Sequence, residues 1–184
     1  MNDDMLRETI GKQTTIFDGH IIHLQSWDVT LPNGEPAKRE VAIHRGASAI
    51  VPVDADGNTY LVRQYRTPMG RVLMEIPAGK LDYMGEDRLE AAKRELREET
   101  GFTANKWTHL VDLATTPGFC TEVISLFLAE DLTKGETDFD DDEFLDLVKM
   151  PFKEAADMAA TGKFADAKTI VALLLAERKM RGEA

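Results

Sequence analysis

The chain has 184 residues, of which 43% are hydrophobic and 30% charged, enough apolar material for one packed domain with a small appendage and too much for a disordered polymer. A formal net charge of −11 argues against DNA or RNA as a partner, because phosphate polymers reward clustered Lys and Arg. No apolar run reaches the roughly 18 residues of a membrane span, residues 1–12 lack the apolar core of a secretory signal, and a lone Cys120 fits a reducing compartment, so a cytoplasmic protein is expected.

In chain order, residues 14–44 read as strands broken by turns. Val29, Thr30 and Leu31 run into a Pro32-Asn33-Gly34 turn, and residues 39–44 resume as a strand. Residues 47–53 and 59–64, joined through Asp54-Ala55-Asp56-Gly57-Asn58, are expected to form a hairpin of two buried strands. Residues 72–76 make another short strand, closed by Pro77. Over 87–100, Leu89, Ala92 and Leu96 fall at i, i+3 and i+7 and Gly101 stands behind them, which predicts an amphipathic helix. Strands are expected at 107–113, 123–129 and 144–150, a helix after Pro151, and a last helix over 167–181. The acidic run 138–143 reads as a loop. This order predicts an α/β fold layered around one mixed sheet, with residues 1–45 as a separate β unit and 46–184 as the main domain.

The segment that carries chemistry is Arg94-Glu95-Leu96-Arg97-Glu98-Glu99-Thr100-Gly101-Phe102. On a helix, Glu95, Glu98 and Glu99 lie at i, i+3 and i+4 and share one face. Like charges at that spacing repel by roughly 0.2–0.5 kcal/mol per pair, and glutamates in a last turn meet the negative end of the helix dipole. A solvated acidic face tolerates costs of this size; a divalent cation removes both. Hard oxygen donors in this number suit Mg²⁺, which keeps several waters and binds together with substrate phosphates. Arg94, four residues before Glu98, is placed to hold that carboxylate.

This segment resembles the Nudix box: Gly, five residues, Glu, seven residues, then Arg-Glu-aliphatic-any-Glu-Glu-any-Gly-aliphatic. From Glu86 the match runs through Gly101, with Phe102 in place of the aliphatic residue, whereas six residues rather than five separate Gly79 from Glu86. The resemblance implies an α/β/α sandwich around a mixed β-sheet with a small N-terminal antiparallel β unit. It also implies Mg²⁺, with Mn²⁺ as a substitute, on Glu95, Glu98, Glu99 and the carbonyl of Ala78. Gly79 then reads as a position where backbone approaches the metal, and Arg94 as a partner that orients the ligands.

Outside the box, Thr115-Thr116-Pro117-Gly118-Phe119-Cys120-Thr121-Glu122 is similar to the Ser-Pro-Gly segment of ADP-ribose pyrophosphatases, with Thr116 at the serine position. Alone, a Pro-Gly pair is only a turn. Leu31-Pro32-Asn33-Gly34, Arg39-Glu40, Val62-Arg63-Gln64-Tyr65-Arg66, Glu75-Ile76-Pro77-Ala78-Gly79-Lys80 and Asp166-Ala167-Lys168-Thr169 resemble the same subfamily. The implied activity is hydrolysis of the diphosphate of a small nucleoside diphosphate sugar, ADP-ribose giving AMP and ribose 5-phosphate. The implied assembly is a homodimer whose N-terminal units exchange, used for dimerisation and base binding.

Glu98 belongs to the implied catalytic set, and the general base is implied among Glu122, Asp141 and Glu143. Asp141 stands where relatives carry glutamate, one methylene longer. Arg63 and Arg66 are candidates for bidentate phosphate contacts, Arg66 the stronger. Trp27 offers a π face to an adenine, although a Trp in a β unit equally suits a core or an interface. Arg39 and Gly118 complete the substrate-binding set. His20, His23, His44 and His109 show no ligand spacing and read as surface or structural. GDP-mannose or another sugar nucleotide is the alternative substrate. A non-catalytic sensor of ADP-ribose-like ligands is the alternative from another class, disfavoured by the three intact glutamates.

Overall fold

Short apolar runs punctuated by Gly, Pro and Asp, followed by longer stretches of helical period, demand a sheet covered by helices. The computed structural model describes residues 3–135 and 145–183, so Asp141 and Glu143 lie outside the described residues. The strands are β1 (Thr9–Asp18), β2 (His23–Thr30), β3 (Pro36–Ile43), β4 (Ala47–Pro52), β5 (Asn58–Arg66), β6 (Arg71–Glu75), β7 (Ala78–Lys80), β8 (Phe102–Ala114), β9 (Val123–Lys134) and β10 (Asp146–Pro151). The helices are α1 (Arg88–Thr100), α2 (Phe152–Ala160) and α3 (Ala167–Met180).

The chain divides into two units. The first comprises Met1–Arg45 and Ala114–Glu122. Its antiparallel sheet has the order β1-β2-β3, and the Pro32-Asn33-Gly34 turn closes with the Gly34 N–H donating to the Leu31 carbonyl at 2.8 Å. The 114–122 segment is laid against β3: the Ala42 N–H donates to the Phe119 carbonyl at 2.7 Å, and the Thr121 N–H to the Ala42 carbonyl at 3.0 Å.

The second unit comprises Gly46–Leu113 and Val123–Ala184. A four-stranded mixed sheet has the order β7-β4-β9-β8, with β4 parallel to β9 and antiparallel to β7. A three-stranded antiparallel sheet has the order β10-β5-β6. Every residue of β4 is buried, as expected of a strand covered on both faces. Ala49 and Val51, with Leu126 and Leu128 of β9, share one apolar cluster with Ala155 of α2 and Ala172, Leu173 and Ala176 of α3. The alternate residues Ile50 and Phe127 join Ala92 and Leu96 of α1 in another. The second unit is therefore an α/β/α sandwich.

One local expectation needs correction. The turn at Asp54–Asn58 forms, with the Asp54 carboxylate accepting from the Asp56 and Asn58 N–H groups at 3.0 and 2.8 Å. Yet β4 and β5 are not a hairpin pair: the pairing stops at the isolated bridge Val53↔Thr59 beside the turn, and the two strands belong to different sheets. The wholly buried β4 is drawn to a parallel partner, β9, far away in sequence.

Candidate active site

The frame of α1 follows from its ends. The Asp87 carboxylate accepts from the Leu89 and Glu90 N–H groups, and Gly101 at φ 72° stops the helix with its N–H on the Arg97 carbonyl. Ala91, Ala92 and Leu96 are buried, so the helix cannot rotate without exposing them. That fixes Glu95 and Glu99 on a face where they are only 8% and 5% exposed, unusual for glutamates without partners.

The partners come from β7 and the turn before it. The Ala78 N–H donates to Glu99 Oε2 at 3.0 Å, and the Pro77 carbonyl accepts from the Ile50 N–H at 2.9 Å, tying this turn to both α1 and β4. A Cβ built on Gly79 would overlap the Glu95 carboxylate, so only glycine leaves that side chain in its present place. Arg94 collects the remaining charges. Its Nη1 lies 2.6 Å from Glu95 Oε1 and 3.2 Å from Glu98 Oε2, and its Nη2 donates to the Lys80 carbonyl at 3.2 Å. Asp82 and Glu86 approach it at 3.4 and 3.7 Å. Burial works against the Arg94 charge, but Glu95, Asp82 and Glu98 outweigh it, so the guanidinium is held protonated more firmly than a free arginine.

Glu86 also closes the loop, accepting from the Asp82 N–H at 2.7 Å. In the six-residue loop between Gly79 and Glu86, Gly85 turns at φ 87° with open space around it.

Three carboxylates on consecutive turns, two of them buried, suit a hard divalent cation in chemistry. The overlap at Gly79 shows that backbone and the Glu95 carboxylate already share one narrow space, as a site using both would require. Among the described residues, however, no three acidic, His or Cys side chains converge on one point, and Arg94 takes the oxygens of Glu95 and Glu98.

Behind this layer stands a buried ion cluster that sequence reading passed over. Glu75, 2% exposed at the end of β6, receives Arg66 through two bonds of 2.8 Å and Lys168 Nζ at 2.5 Å. Burial opposes ionisation of Glu75, yet Arg66 and Lys168 outweigh it and hold the carboxyl down at about 2. Lys168 also lies 3.1 Å from Asp166, the residue that caps α3. The cluster did leave a signal. Lys168, Ala172 and Ala176 repeat every four residues, so the lysine sits on the buried stripe of α3 and needs a carboxylate partner.

The other candidates fall as follows. Arg66 is engaged with Glu75, and the charge of Glu99 also acts on it. Arg63 pairs with Asp146 at 3.0 Å on the exposed side of β5. In the first unit, Trp27 and Arg39 face each other across β2 and β3. The Trp27 indole donates to Gln25 at 2.8 Å, and Arg39 pairs with Glu8. Gly118 stands in open space. Glu122 accepts from the Thr115 hydroxyl at 2.6 Å and lies 3.5 Å from His44, whose part beside this carboxylate the sequence did not reveal. Thus Ala78, Glu95, Glu98 and Glu99 are brought together in the second unit, whereas Trp27, Arg39, Gly118 and Glu122 belong to the first.

No helix among the described residues is long and apolar enough to cross a membrane. Comparison with known proteins fits this geometry. The NUDIX domain matches residues 42–173. An ADP-ribose pyrophosphatase of Bacillus subtilis (strain 168) is 41% identical over 90% of this chain and 90% of its own. A methanol dehydrogenase activator of Bacillus methanolicus is 40% identical over 92% of both chains. A crystal structure of an ADP compounds hydrolase superposes with a TM-score of 0.82 at 29% identity, covering 97% of this chain and 98% of that one. With the box on α1 and the sandwich around it, the chain belongs to the Nudix family and is a Nudix pyrophosphohydrolase.

Proposed function

We propose that this protein hydrolyses the diphosphate bridge of ADP-ribose to AMP and ribose 5-phosphate, using Mg²⁺ held by Glu95, Glu98, Glu99 and the Ala78 carbonyl. The observation that carries the reading is the Gly79–Glu95–Arg94 arrangement: glycine leaves room for a box carboxylate, and one arginine holds the oxygens a cation would compete for. The likeness to an ADP-ribose pyrophosphatase over most of the chain supports the choice of substrate. Bound Mg²⁺ supplies charge neutralisation for the diphosphate and acidifies water. The chain's own residues orient its ligands, hold phosphate oxygens and take the proton from water as oxygen adds to phosphorus and the bridging P–O bond breaks. Glu122 is the candidate base among the described residues; Asp141 and Glu143 are the others. Arg63, Arg66, Trp27, Arg39 and Gly118 make up the proposed substrate-binding set, and the proposed assembly is a cytoplasmic homodimer.

The test incubates purified protein with Mg²⁺ or Mn²⁺ and ADP-ribose, ADP-glucose, GDP-mannose, NADH and diadenosine polyphosphates, with phosphatase-coupled phosphate release as the readout. ADP-ribose is expected to lead. Preference for GDP-mannose would replace the substrate, and failure to cleave any compound with either metal would leave a binding protein.

A further inference from the structure

The four residues that lead into Gly79 are bonded to the first turn of α3 as well as to α1. Besides Arg66 on Glu75 and the Ile50 N–H on the Pro77 carbonyl, the segment Glu75-Ile76-Pro77-Ala78 is bonded to two helices through three contacts. Glu75 receives Lys168 Nζ at 2.5 Å. The Ile76 N–H donates to the Thr169 hydroxyl at 2.9 Å, and that hydroxyl donates in turn to Asp166 at 2.5 Å. The Ala78 N–H donates to Glu99. Two of these anchors come from the first turn of α3 and the third from the box helix.

We propose that Lys168, supported by Thr169, is a positioning residue that sets the Ala78 carbonyl relative to Glu99, so that α3 latches the metal site. The inference rests on the metal reading above. A purely stabilising role explains the arrangement poorly. Lys168 is 8% exposed, and a buried ion cluster commonly adds no stability over apolar side chains of similar volume. What the cluster does provide is direction: a lysine and a hydroxyl, both tied to the capping Asp166, bond one four-residue segment that ends at the residue whose carbonyl is needed.

The experiment measures Mn²⁺ binding to the full chain without substrate, by electron paramagnetic resonance of free Mn²⁺, together with kcat and KM for ADP-ribose. For Lys168→Met, Mn²⁺ affinity is expected to weaken about tenfold, the lower end for groups that orient ligands, and kcat to fall more than KM changes. Leu174→Ala, which thins the core beside the same helix, is expected to lose stability and keep parental Mn²⁺ affinity. Should Lys168→Met fail to fold, Thr169→Val carries the same expectation. Parental Mn²⁺ affinity in a folded Lys168→Met or Thr169→Val protein overturns the latch alone. Equal weakening in Leu174→Ala also overturns it, by making the effect one of general stability. A parent that binds no Mn²⁺ overturns the metal reading and the latch together.

Discussion

Gly79 has no side chain because Glu95 occupies the place where one would stand. Its backbone has no left-handed φ to require glycine, so the demand comes from the carboxylate alone. Gly79→Ala should therefore leave the sheet intact, because the atoms displaced are the end of a side chain that can swing away. The measured result would be a melting temperature within a few degrees of the parent and ADP-ribose turnover at least about tenfold lower, as expected when a ligand loses its place. A variant with parental turnover would mean that Glu95 does not act from its present position. Glu99→Gln asks a sharper question. The amide can still accept the Ala78 N–H, so the turn should survive while the charge is lost. Turnover is expected to fall about 100-fold or more with unchanged circular dichroism, beyond what outer positioning groups cost; normal activity would remove Glu99 from the metal account.

At the level of elements, what could be read beforehand was local. The cap at Asp87, the stop at Gly101 and the buried spacing of Ala92 and Leu96 are written within α1 itself, and the same holds for the turn at Gly34. What could not be read was pairing over distance. The parallel match of β4 to β9 leaves no trace in neighbouring residues, and the buried stripe of α3 shows that Lys168 needs a carboxylate without showing that it is Glu75, 93 residues away. Strand β7, three residues long, is too short to show a period. The Glu75 cluster has a pH consequence. Its carboxyl is held at about 2 against an ordinary 4.5, so its contribution is complete above pH 4.5 and is lost as pH falls through 2. Thermal melts between pH 6 and pH 2 should show the parent losing stability mainly below pH about 4.5. Glu75→Gln, already weakened at pH 6, should decline less, so that the two curves draw together. Parallel curves throughout would show that Glu75 is not the titrating group.

For the molecule as a whole, the outstanding feature is apolar surface left in water by the first unit. Ile10, Ile16, Phe17, Ile21 and Ile22, on β1 and the turn after it, are each more than half exposed. Single exposed apolar residues are ordinary, but three on an edge strand and two in the turn after it, within thirteen positions, make a surface that invites pairing. A second copy of the chain is the occupant expected of a homodimer joined through its N-terminal units. Ile16→Glu with Phe17→Glu should then convert the particle from twice the chain mass to once, read by light scattering, with circular dichroism and Mn²⁺ affinity equal to those of the parent. The charge of the chain adds a second handle. Two copies at −11 each repel, and salt shortens the reach of that repulsion to about 10 Å at 0.1 M. Association through an apolar face should accordingly tighten as salt rises, whereas association through ion pairs should loosen. A parent that stays at single mass across the salt range would leave this surface without the partner assigned to it.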